Sequence, residues 1–159
     1  MSISIEKVSY KNSKDCRILE AALNNWFKNP KELNFIDPRM SYPFNFKKWV
    51  LLYYNNPDIK SFACKYNNWI IGISNIKFIQ KTKRAHAFHI FVDQKYREQG
   101  LATKMLQHLE SQARDKKMNI FTINVLPKNE PAIKLYEKMG LKAGSASKSG
   151  ILKLKKVLS

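Results

Sequence analysis

Arg97-Glu98-Gln99-Gly100-Leu101-Ala102 stands between an apolar run, His86 to Val92, and an amphipathic segment, Leu101 to Ala113. The pattern predicts a strand, a tight loop and the first turn of a helix. That first turn carries unpaired backbone N–H groups and the positive end of the helix dipole. Gly100 lets the backbone approach a ligand, Ala102 is too small to obstruct it, and Arg97 adds a positive charge. Such a loop suits a phosphate or pyrophosphate. A plain capped turn has the same local signature, so the loop acquires meaning only from its surroundings.

The chain of 159 residues is long enough for a core of its own, and one domain covering 1–159 is expected. Hydrophobic residues make up 44% and charged residues 26%, as in soluble globular proteins. No apolar run approaches the length of a membrane span; the longest, such as Trp49 to Tyr54, are short. The start, Met-Ser-Ile-Ser-Ile-Glu-Lys, lacks the basic-then-apolar pattern of a secretory signal. Cys16 and Cys64 form no metal or redox spacing, so reduced thiols and a cytoplasmic location are expected. The formal net charge is +17, from 29 Lys+Arg against 12 Asp+Glu. No acid occurs from Ile59 to Val92 or after Glu137, while basic residues recur throughout both stretches. Such a field attracts anions such as nucleotide phosphates, nucleic acid or acidic surfaces; solvated lysines guarding sheet edges are the plainer reading.

Along the chain, Ile3, Ile5 and Val8 suggest a strand, and Ser13 to Lys28 has helical spacing. Asn29 to Asn45, with Pro30, Pro38 and Pro43, reads mostly as loop. Phe46 to Tyr54 reads as a short helix. Ile59 to Tyr66 and Trp69 to Gln80 read as strands joined by a tight Asn67-Asn68 turn. Arg84 to Val92 is the next strand, and Leu101, Met105, Leu106, Leu109 and Ala113 line one helix face. Asn119 to Val125 is a strand, Ala132 to Met139 a short helix with Pro131 in its first turn and Gly140 as its stop, and Gly150 to Leu158 a final strand. The fold class is a mixed α+β and α/β one, a central twisted mixed sheet flanked by helices, with a right-handed crossover through His86 to Val125.

A second motif follows at a fixed place: Asn129-Glu130-Pro131-Ala132-Ile133-Lys134-Leu135-Tyr136-Glu137-Lys138-Met139-Gly140-Leu141. Together with Val92 to Ala102 it closely resembles the GNAT superfamily of acyl-CoA-dependent N-acyltransferases. The first segment is similar to its [Q/R]-x-x-G-x-[G/A] loop, the second to its Asn-x-x-Ala-x-x-Leu-Tyr-x-x-x-Gly segment. The match covers Arg84 to Leu141. The resemblance implies acetyl-CoA as acyl donor, no metal, and an amine acceptor, small molecule or polypeptide, attacking the thioester directly. It implies that the backbone of Arg97, Glu98, Gln99, Gly100, Leu101, Ala102 and Thr103 holds the pyrophosphate and that Asn129 contacts the coenzyme arm. Ile90, Phe91 and Val92 would lie along the pantetheine, one of their N–H groups polarising the thioester carbonyl. Tyr136 would protonate the departing thiolate, since a phenol stays protonated at neutral pH. From spacing alone Tyr136 is a core aromatic, Asn129 a helix cap and Arg97 a surface ion-pair partner.

The chain departs from the family where many members carry a Glu on the strand before the loop. His86-Ala87-Phe88-His89-Ile90-Phe91-Val92 has no acid. His89 is the candidate general base, with a water chain as the alternative. His86 is expected on the opposite side of an ideal strand, which with the lack of nearby acids argues against a metal site. Glu32 and Asp37 in the proline-rich segment are candidates for steering a cationic amine, beside Phe35, Tyr42 and Phe44. The surrounding positive charge favours acidic peptides or a ribosome-associated protein instead. The competing class is a basic nucleic-acid-binding module, with exposed Trp69 in its favour and no specific motif. A non-catalytic acyl-CoA-binding protein is the third reading. Monomer and homodimer both remain open, the basic strand Ile151 to Leu158 being a possible sheet edge.

Overall fold

The computed structural model describes residues 2–144 and 150–158; Lys148 of the basic C-terminal segment lies outside them. The elements are β1 (Ile3–Val8), α1 (Ser13–Trp26), α2 (Pro30–Ile36), α3 (Phe46–Tyr53), β2 (Ile59–Tyr66), β3 (Trp69–Ile79), β4 (Arg84–Val92), α4 (Leu101–Asp115), β5 (Ile120–Val125), α5 (Glu130–Lys138), β6 (Lys142–Ala143) and β7 (Leu152–Val157). The strands form one seven-stranded sheet in the order β1-β2-β3-β4-β5-β7-β6. Only the β4–β5 pair is parallel, its crossover made by α4. This is the mixed sheet flanked by helices that the pattern predicts.

Each of the first three helices starts at an asparagine. The side chains of Asn12, Asn29 and Asn45 accept from the amides of Asp15, Lys31 and Lys48 at 3.0, 2.9 and 2.9 Å. The second of these corrects the expected loop: Asn29 to Asn45 contains α2, because Pro30 occupies the first helical position, where its fixed φ and missing N–H cost nothing. The Asn67-Asn68 turn has positive φ at both residues, 50° and 67°, as a two-residue hairpin needs. The C-terminal strand also needs correcting as an edge. β7 lies between β5 and β6, and β1 and the two-residue β6 are the outer strands.

Two apolar clusters sandwich the sheet. One joins α4 and α5 to β3, β4, β5 and β7 through Ile76, Ala85, Ala87, Leu106, Leu109, Phe121, Ile123, Tyr136 and Leu154. The other packs α1, α2 and α3 on β1 to β4 through Leu19, Leu23, Phe27, Leu33, Trp49, Ile73 and Phe91. At Gly72 the strands press on α4: a Cβ there would lie 3.0 Å from the Phe91 carbonyl oxygen and 3.3 Å from the Met105 side chain. Any larger residue would force the strand and α4 apart.

Candidate active site

β4 changes partner along its length. It pairs with β5 only from Arg84↔Ile120 to Ala87↔Ile123, yet stays paired with β3 to Gly72↔Val92. Beyond Ala87 its β5-facing edge has no ladder partner, so the two strands part in the middle of the sheet. At the same point the register with β3 slips between Ile73↔Phe91 and Asn75↔Phe88, leaving His89 and Ile90 opposite Ser74. This is a β-bulge. His89 has φ 46°, and the buried amide of Asn75 donates to its carbonyl at 3.1 Å.

The bulge corrects the expected alternation. Ala85, Ala87, Ile90 and Val92 face α4, while Phe88, His89 and Phe91 face α1 to α3. The β5 register places His86 with Thr122 on that second face, their side chains 2.8 Å apart. His86 and His89 therefore share a face. Among the described residues no cluster of three metal-ligating side chains occurs.

His89 is enclosed. Its Nε2 lies 2.8 Å from Asp37 Oδ2 and its Nδ1 2.7 Å from the Tyr54 hydroxyl. Trp49 stacks on the ring at 4.0 Å and Tyr53 meets it edge-on at 4.7 Å. The ionised Asp37 accepts from Nε2–H, and Nδ1 then accepts from the phenol. Hydrogen bonds from His89 and Arg39 hold the Asp37 carboxyl far below its usual range despite its burial. Burial outweighs Asp37 and keeps His89 neutral, its pKa lowered. Both ring nitrogens are engaged inside the protein. Asp37 and Glu32 are likewise taken, the first by Arg39 and His89, the second by Arg97. Neither is free to steer a cationic amine.

The phosphate-loop candidate is open. A 3₁₀ turn at Gln94–Tyr96 is capped by Asp93, which also accepts from Trp26 Nε1 at 3.0 Å and so ties the loop to α1. Glu98 and Gly100 both have positive φ, 64° and 78°. The first bond of α4 is Lys104 N–H to the Gly100 carbonyl at 3.1 Å, and among the described residues the amides of Glu98 to Thr103 have no recorded acceptor. A Cβ at Gly100 would meet nothing within 4 Å. The Arg97 guanidinium is not aimed into this loop. It donates to the Val92 carbonyl at 2.9 Å and to Glu32 at 2.8 Å, with its carbon 5.0 Å from the centre of the Phe91 ring.

Tyr136 is buried in the α4–α5 cluster with Ile123 and Val125, and Ile90 packs against that cluster. Its hydroxyl has no hydrogen bond among the described residues, and burial raises its pKa to about 12. Asn129 stands at the N-cap of α5, but its side chain caps nothing. A groove of about 370 Å³ runs between α4 and α5, lined by Thr103, Gln107, Leu135 and Met139 among others. The structure thus gathers Ile90, Val92, the loop and Tyr136 around the α4 side of the parting, and puts the rings of His89 and Phe91 on the other side. Sequence reasoning missed Asn75 as the brace of the bulge; a Ser74-Asn75 pair inside an apolar strand was the available signal. Asp37 and Tyr54 as partners of His89 had none.

A parted parallel strand pair beside a helix N-terminus with free amides offers an opening between the central strands and donors for an anion. Residues 21–141 match the Acetyltransferase (GNAT) family, and the chain belongs to that family. The fold is that of the PaiA N-acetyltransferase from Thermoplasma acidophilum in complex with coenzyme A (TM-score 0.75, 18% identity, 99% of this chain and 100% of that one). It is also that of an N-acetyltransferase from Staphylococcus aureus (TM-score 0.77, 18% identity, all of both chains) and of the GNAT domain of S. lividans PAT (TM-score 0.78, 18% identity, 97% and 89%). No curated protein matches the chain in sequence. Among the described residues no helix is long and apolar enough to cross a membrane.

Proposed function

We propose that this chain transfers an acetyl group from acetyl-CoA to a primary amine by direct attack. The observation that carries the reading is the run of free amides from Glu98 to Thr103 opening onto the parted β4–β5 edge. Six N–H groups at a helix N-terminus, with empty space over Gly100, fit a pyrophosphate. Backbone groups, not the Arg97 side chain, supply that contact. The Asn129 side chain, uncommitted at the start of α5, is available to the coenzyme arm.

Acetyl-CoA supplies an activated thioester. In the overall exchange the amine nitrogen bonds to the acyl carbon, the carbon–sulfur bond breaks, one proton leaves the nitrogen and one arrives at sulfur. An N–H of Ile90 to Val92 on the unpaired edge of β4 provides a fixed donor for the carbonyl oxygen. Tyr136 stays protonated across the working pH range. With a pKa of about 12 against about 8.5 for a thiol, it keeps its proton and donates a hydrogen bond to the charge growing on sulfur, while the proton released by the amine reaches the sulfur through water. His89 is a positioning residue in this scheme. Its ring, fixed by Asp37 and Tyr54, anchors the bulge that turns Ile90 toward the coenzyme, and a water takes the proton from the amine.

Calorimetry with acetyl-CoA tests the reading, followed by thiol release against a panel of amines and peptides. Micromolar binding is expected. Gly100→Glu, which puts a like charge into the loop and a side chain at φ 78°, should weaken binding by about 10- to 100-fold. Absent binding, or unchanged binding in Gly100→Glu, sinks the assignment of this loop.

A further inference from the structure

The cluster under α1 to α3 takes residues from β1 to β4 and none from β5 or β7. On that face no described residue of the cluster covers the second half of the sheet. Asn124, Lys142, Lys153 and Lys155 are exposed, and Val157 is 65% exposed. The strand registers arrange this face in rows. Lys77, His86, Thr122, Lys155 and Lys142 pair successively across five strands, a row about 19 Å long at ~4.8 Å per strand. Lys153 lies beside Asn124 in the next row, and Arg84 beside Ile120 in the one before.

No position in these rows is Asp or Glu, and no ion pair is recorded for Lys77, Arg84, Lys142, Lys153 or Lys155 among the described residues. Lys156, one position away on the other face, is held by Glu110 at 2.9 Å and the Met139 carbonyl at 3.1 Å. Buried Arg84 Nε has no hydrogen-bond partner among the described residues. The field is felt locally: burial first, then Arg84, Lys77, Arg39 and Lys153, push His86 down to about 4.

We infer that this face binds an acidic polypeptide segment, the acceptor whose amine is delivered to the β4–β5 parting. The inference rests on the transferase reading for the word acceptor. Lysines two apart on β7 stand about 6.8 Å apart, the repeat of alternate side chains in an extended peptide. The cationic face repels a bare ammonium group, so an acceptor must bring its own anions. Once docked, its amine meets the positive charges of Lys77, Arg84 and Lys153, which favour the neutral form that attacks. A single-stranded nucleic acid fits less well, because its binding relies on aromatic platforms. The half-buried ring here, Phe88, is stacked on His86 and Tyr54, and exposed Trp69 and Tyr42 belong to β3 and the α2–α3 loop.

The test is fluorescence anisotropy without coenzyme. The probes are a peptide with a free N-terminus followed by alternating Asp and Glu, the same peptide with Asn and Gln, and a single-stranded oligonucleotide of equal charge. The acidic peptide should bind about 10-fold tighter than its amide twin, a preference that falls with salt. Lys153→Glu with Lys155→Glu should abolish the preference, and Lys153→Gln with Lys155→Gln should reduce it. Acetyl-CoA affinity and melting temperature should stay unchanged in both. Equal binding of the two peptides, or a preference untouched by either double variant, overturns the inference. So does an oligonucleotide that binds tighter than the acidic peptide through the same lysines. An acidic preference in a protein that binds no acetyl-CoA supports the surface and overturns the transferase reading instead.

Discussion

On the α4 side of β4, the amides of Glu98 to Thr103, the Asn129 side chain and the Tyr136 hydroxyl stand without partners among the described residues. On the α1–α3 side, Arg39, Asp37, His89 and Tyr54 form an unbroken chain, extended by the Tyr10 ring stacked on Tyr54 and by Trp49 Nε1 on the Tyr10 hydroxyl at 3.2 Å. Polar groups that satisfy one another hold a fold together, whereas donors left open to solvent are available to a ligand. One strand thus carries a site on one face and a scaffold on the other. The bulge at His89 divides them by shifting side-chain alternation by one position.

The largest effect should come from Tyr136→Phe. If the free hydroxyl serves chemistry, thiol release should fall by about 10²- to 10⁴-fold. Acetyl-CoA affinity and melting temperature should both hold, because the hydroxyl makes no hydrogen bond among the described residues that its removal would cost. Unchanged turnover would return Tyr136 to the core aromatics and dissolve the contrast between the faces.

Asp37→Ala should show the opposite profile, a loss of folding stability of about 1–3 kcal/mol in denaturant titration, because the neutral His89 Nε2–H is left buried with no acceptor. The buried histidines set a pH dependence, His89 within this network and His86 and His108 outside it. His86, His89 and His108 all have lowered pKa values in the fold, with burial the first cause. Unfolded histidine takes up its proton near pH 6.5, before the folded ones do. Stability is therefore full above about pH 6.5 and declines as pH falls toward 4, where His86 titrates. Asp37, held low, adds a further loss below about pH 4. A melting temperature constant from neutral pH down to about 4 would show that these histidines are charged in the fold, and the scaffold reading would fail.

What was legible in the sequence divides along the same line. The loop, α4, β5 and α5 announce themselves through local signals: Gly100, an apolar stripe, Pro131 and the Asn129 to Leu141 motif. The scaffold side does not. Pro30 looks like a helix breaker until Asn29 is seen to cap it, and His89 meets an aspartate 52 residues away in sequence. The bulge leaves no mark in an alternating apolar run, so the shared face of His86 and His89 could not be read from spacing. The cationic face likewise comes from registers between four strand pairs, while each lysine alone reads as a solvated edge residue.

Arg97 gives the smallest effect and the finest discrimination, because it touches both sides. Its amide is already committed to the Gln94 carbonyl at 3.5 Å just before the phosphate loop, while its guanidinium reaches across to Glu32 on α2. If the loop binds phosphate through backbone groups, Arg97→Ala should change acetyl-CoA affinity by no more than about threefold, equivalent to roughly 0.6 kcal/mol. Stability should fall by about 1 kcal/mol or less, since the pair is partly exposed and salt screens it. Glu32→Ala should match it in stability and also leave affinity alone, because freeing the guanidinium returns a charge that the site does not use. Two other outcomes of calorimetry on the pair would be informative. Tighter coenzyme binding in Glu32→Ala would mean that the released arginine swings to the phosphate, making the ion pair a competitor of the ligand. A loss beyond about 10-fold in Arg97→Ala would make the side chain, and not the free amides, the principal phosphate contact.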